Sequence, residues 1–105
     1  MHPYQQAQLD AAKFKHESTL DNLNAVLTYI EFFKSSMTNW ELLTAIQDQM
    51  DKYDISKQFI NNLYAIYVNC PNLTFGPVTL ASVKLYEIIT ELESKCNTDH
   101  INLNI

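Results

Sequence analysis

Leu20, Leu23, Leu27 and Ile30 step along the chain by three, four and three, the rhythm that lines one side of an α-helix. Val26 and Phe33 widen that face, and the pattern predicts a helix over 19–34. The rhythm returns at Leu43, Ile46, Met50 and Tyr53, predicting a second helix over 39–53. Between the two, "SSMTN" ends the first helix, and Thr38 followed by Glu41 has the spacing of a capping box. A polar break at Asp54 to Ser56 precedes a third helix over 57–69, with Phe59, Ile60, Leu63, Ile66 and Tyr67 on its apolar side. "CPNLTFGP" stops it, because Pro71 cannot continue the ladder and Gly76-Pro77 signals a turn. A last helix over 78–95 carries Ala81, Leu85, Ile88 and Leu92, flanked by Val78, Val83 and Ile89. Leu27, Ile46, Leu63 and Leu85 lie mid-stripe on the four helices and are the expected core.

The two ends are weaker. Tyr4, Ala7, Ala11 and Phe14 share a stripe made largely of small residues, so residues 1–17 read as an arm or as a short helix docked on the rest. The polar run His16 to Thr19 either breaks that helix or lies inside a continuous one. Residues 98–105 read as a short tail. Residues 1–105 are thus expected to form a single all-α domain, a small antiparallel or orthogonal bundle of four core helices with room for a short N-terminal one. The one glycine, Gly76, agrees with this, since tight β-turns draw on Gly for positive φ.

Charge narrows the partners. The formal net charge is −5 and all seven basic residues are Lys. Arg is the usual bidentate reader of guanine and phosphate, so an acidic, Arg-free chain is a poor fit to nucleic acid or an anionic membrane. It favours a protein partner with a basic surface, or none; the sequence leaves a homodimer open. No apolar run approaches the ~20 residues of a membrane span. Cys70 and Cys96 have no metal-site spacing, and Met1 to Phe14 lacks a signal-peptide pattern; reduced thiols and a cytoplasmic location are expected. Abundant Asn with no Arg suggests an AT-rich coding sequence, compatible with a low-GC microbe or a phage.

Little in the chain suggests catalysis. His2, His16 and His100 have no partner at metal spacing, no serine sits in a nucleophile elbow, and there is no glycine-rich phosphate cradle. No enzyme activity, cofactor or metal is expected. Asp48, Asp51 and Asp54 follow one helix and its end without the glycine a calcium loop needs, which leaves them as a solvated face. Glu87, Glu91 and Lys95 share a helical edge, where Glu91 and Lys95 have the spacing of a weak i,i+4 pair.

Two binding readings remain. Tyr29, Phe32, Trp40, Tyr64 and Tyr67 widen the stripes beyond what one face needs, and such aromatics anchor protein interfaces. With Glu87 and Glu91 as steering charges, they suggest a non-catalytic module that occupies a protein partner, as an inhibitor, an immunity or antitoxin protein, an adaptor or a chaperone does. The alternative is a helix-turn-helix DNA reader with its corner at residues 50–62. Met50 would stand where Ala is usual, Asp54 where the turn prefers Gly, and Lys57, Gln58, Asn61 and Asn62 would face the groove. Asp48, Asp51 and Asp54 argue against it, because phosphate affinity comes largely from cations.

Overall fold

No proline or glycine interrupts residues 4–70, so the helices there end only where side chains and corners end them. The structure, a computed structural model, describes the backbone of residues 3–103 and the side chains of residues 18–97. Four α-helices and one 3-10 turn make up the chain: α1 (Pro3–Phe33), the 3-10 turn Lys34–Ser36, α2 (Asn39–Lys52), α3 (Lys57–Asn69) and α4 (Pro77–Leu103). The described residues form an all-α fold with no strand.

One open alternative is decided and one boundary differs from expectation. The polar run His16 to Thr19 does not break α1, which is continuous from Pro3. Polarity alone costs a helix only tenths of a kcal/mol per residue, whereas a stop needs Pro, Gly or a cap. For the same reason α4 passes Lys95 and runs to Leu103. The side chains of Tyr4, Ala7, Ala11 and Phe14, and those of residues 98–105, lie outside the described residues.

The α1–α2 corner is set by local chemistry. Ser36 Oγ donates to Phe33 O at 3.1 Å, and Met37 is extended. Both halves of the capping box then form: Glu41 N–H donates to Thr38 Oγ1 at 3.2 Å, and Thr38 N–H donates to Glu41 Oε1 at 3.1 Å. Met37 and Leu42 take the two positions of a hydrophobic staple, and both belong to the core. The backbone hydrogen bond at Thr38 holds the Glu41 carboxyl below its ordinary value of 4.5. A carboxyl whose folded pKa is depressed stabilises the fold above its unfolded value and loses that effect as pH falls through the folded one. Thr38→Ala, which removes the hydroxyl that accepts from Glu41 N–H, should destabilise the protein by about 1 kcal/mol. Glu41→Gln removes the carboxylate, so in urea melts the difference between wild type and that variant should shrink below pH 4.5; a constant difference down to pH 2 would mean that the carboxylate plays no part.

At the other end of α2 the chain closes a Schellman motif. Ile55 N–H donates to Met50 O at 2.8 Å and Asp54 N–H to Asp51 O at 3.2 Å, while Asp54 takes the left-handed position at φ 57°. Gly is usual there, and Asp is among the few other residues that tolerate it. The apolar contact that accompanies the motif is supplied by Ile55 and Met50, both buried in the core. Ser56 then caps α3, accepting from Phe59 N–H at 3.0 Å. Pro77 opens α4 at the first helical position, where its missing N–H costs nothing.

Helix α4 is the hub, packing against α1, α2 and α3, whereas α3 has its substantial contacts with α4 alone. α3 and α4 run antiparallel, since Lys57 pairs with Glu93, Tyr64 with Tyr86 and Tyr67 with Phe75. This arrangement decides the core. Leu23, Val26, Ile46, Ile60 and Leu85 are fully or almost fully buried. Ile46 and Leu85 stand where the stripes put them. Leu27 and Leu63 are only half-buried: on α1 the centre of the face is Val26 rather than Leu27, and α3 has a single principal neighbour to cover it.

Candidate partner-binding surface

Phe32 is the outermost residue of the last turn of α1, and Trp40 lies in the first turn of α2. They are 78% and 68% exposed, the two most exposed large apolar side chains among the described residues. The Phe32 ring and the Trp40 backbone are each held by local contacts. Phe32 leans edge-on against Phe33, ring centroids 4.9 Å apart, and Phe33 meets Tyr29 at 4.5 Å. Trp40 sits inside the capping box between Thr38 and Glu41.

Glu31 and Asn39, the chain neighbours of Phe32 and Trp40, line an open groove of about 400 Å³ together with Ile30, Leu42 and Glu91. Its floor is apolar, its rim charged. On the rim Lys34 Nζ lies 2.7 Å from Glu31, and Lys95 Nζ lies 3.2 Å from Glu91. The hydrogen bond from Lys34 holds the Glu31 carboxyl below its ordinary range, with Lys34 and Lys84 adding their charges. Each of these carboxylates thus already has a lysine of its own. The pairs are exposed, and such pairs contribute between nothing and about 1 kcal/mol, so a partner can exchange them at little cost.

The seven residues expected at the partner surface do not form one face. Phe32 and Trp40 are exposed on the two helices that meet at the α1–α2 corner, and Glu91 lines the groove that their chain neighbours Glu31 and Asn39 also line. Tyr29 is half-buried against Phe33, and Glu87 is exposed on α4. Tyr64 is used internally: its ring stacks on Tyr86 at 3.8 Å and 15°, part of the joint between α3 and α4. Tyr67 is tilted against Phe75 at 5.4 Å and folds the α3–α4 loop back onto α3. Ile66, Val68, Leu73 and Leu80 are roughly half exposed and were not expected at a surface site. The signal that could have found them is the apolar Val68, which falls outside the α3 stripe.

In the corner at residues 50–62, Gln58, Asn61 and Asn62 are exposed on α3. Lys57 is held 3.3 Å from Glu93, and Asp48, Asp51 and Asp54 are all exposed beside it. Among the described residues no three His, Cys, Asp or Glu side chains are placed to hold a metal ion. Cys70 and Cys96 are half-buried free thiols, and no described helix is long and apolar enough to cross a membrane. The side chains of His2, His16 and His100 fall outside the described residues. Compared with protein-family models, with curated proteins and with solved structures, the chain matches none.

Proposed function

We propose that the protein is a non-catalytic binding module that acts by occupying a partner protein at the α1–α2 corner. The observation that carries this reading is the pair Phe32 and Trp40, exposed on the two helices that meet at a capped turn, with their chain neighbours Glu31 and Asn39 lining an open groove. Large rigid aromatics lose little side-chain entropy on binding and dominate interface energetics. The charge of −5 favours a basic partner and speeds its approach. A cytoplasmic inhibitor, antitoxin-type protein, adaptor or chaperone works in this way. Phe32→Ser with Trp40→Ser, compared with wild type as immobilised bait in a lysate of the source cells, tests it. A protein retained by wild type, released by salt and lost at least ~30-fold by the variant is the expected result. Equal retention by both would move the contact away from the corner.

The second reading, a DNA reader, is favoured by one observation: a serine-capped α3 follows a tight corner with Gln58, Asn61 and Asn62 outward. Three aspartates at the corner and a lysine engaged by Glu93 oppose it. A mobility shift at low salt with the DNA around the coding gene separates the two. A tight complex that collapses as salt rises would replace the protein-partner reading.

A further inference from the structure

Residues 58–83 contain no Asp, Glu, Lys or Arg. They comprise nearly all of α3, the α3–α4 loop and the first turns of α4, so every formal charge in the molecule lies outside this hairpin end. Lys57 and Lys84 border it, and each is already beside a carboxylate: Lys57 Nζ lies 3.3 Å from Glu93, and the charge of Lys84 acts on Glu31. Around the tip stand Ile66 at 47%, Val68 at 49%, Leu73 at 58% and Leu80 at 50% exposure. Asn61, Asn62, Asn69 and Asn72 are exposed between and beside them. Exposed apolar side chains with no charge among them are a compositional mark of an interface core.

We propose that this uncharged hairpin end binds a second copy of the chain, face to face across a two-fold axis. In such an interface the same patch is supplied by both partners, and residues near the axis meet their own copies. A charged patch would set like against like there. In a molecule of net charge −5, the hairpin end is where two copies meet without that penalty. A basic partner gains nothing from this surface, which offers it no carboxylate. Asparagine amides both donate and accept, so each can pair with its own counterpart. The α1–α2 corner has no part in the contact and stays open to the partner proposed above; the two proposals stand or fall separately.

Sedimentation velocity of the full chain over a range of concentrations, in low and in high salt, tests the proposal. The mass should rise from 12.2 kDa toward twice that value with concentration. Dimerisation should strengthen as salt screens the repulsion between two acidic bodies. Ile66→Glu with Leu73→Glu places carboxylates on both sides of the axis and should weaken the dimer at least ~100-fold. Both positions are exposed, so an unchanged far-ultraviolet dichroism spectrum should accompany the loss. Phe32→Ser with Trp40→Ser should dimerise like wild type. A wild-type monomer at every concentration and both salts would overturn the proposal, as would a dimer that salt dissolves or one that the glutamates leave intact. If the glutamate variant fails to fold, Ile66→Ser with Leu73→Ser takes its place, and a dimer that it leaves at wild-type strength overturns the proposal.

Discussion

Leu85→Ala should lower the unfolding free energy by about 2–5 kcal/mol, the range for emptying a fully enclosed leucine site. Leu85 has no exposed surface and sits on α4, the helix against which the other three pack. Its loss opens a void that no single neighbour can close, since collapse toward one helix draws α4 away from another. Leu63→Ala, on the half-covered α3, removes the same atoms from a site already open to water on one side. It should cost well under half as much, because only area taken from water counts. Urea unfolding followed by dichroism measures both. Equal losses would show that α3 is enclosed as deeply as α4.

Ile60→Asp should have an even larger effect, confined at first to α3. Ile60 is the one buried side chain on that helix, at 1% exposure. Burying a carboxylate there costs several kcal/mol, more than the surrounding contacts return, and Lys57, one turn away, is already engaged by Glu93. What remains between α3 and α4 is the Tyr64–Tyr86 stack, the half-buried Leu63 and the exposed Lys57–Glu93 pair. The expected outcome is that α3 leaves α4 while α1, α2 and α4 stay together. In hydrogen exchange the amides of 60–69 should lose protection and those of α2 should keep theirs. Loss of protection everywhere at once would mean that the four helices unfold as one unit.

The corners were the most legible part of the fold, because their chemistry is local. Thr38 and Glu41 announce the start of α2, Ser56 the start of α3, and Pro71 the end of α3, and each works at the predicted place. Helix ends without such chemistry are harder to read: the sequence leaves His16 to Thr19 open between a break and a continuous helix, and α4 passes its expected end at Lys95. The faces were legible in kind but not in depth. Five apolar residues were predicted on the core side of α3, and only Ile60 is buried. Periodicity gives the direction a face points; the number of helices waiting for it depends on the rest of the chain. The site suffered in the same way. Phe32 and Trp40 were visible as surplus aromatics, whereas Tyr64 has the same appearance in sequence and is spent on Tyr86.

The place of α4 as the hub also governs how the chain can fold while it is being made. The helix that joins the others leaves the ribosome after all three of them. When α1, α2 and α3 have emerged, α3 has nothing substantial to lie against, and the apolar faces of all three stand open to solvent or to whatever binds nascent chains. Domains fold as units during synthesis, and here the unit is incomplete until Leu85, Ile89 and Leu92 have cleared the tunnel. A stop codon early in α4 would therefore yield a sticky, protease-sensitive fragment, not a slightly smaller bundle.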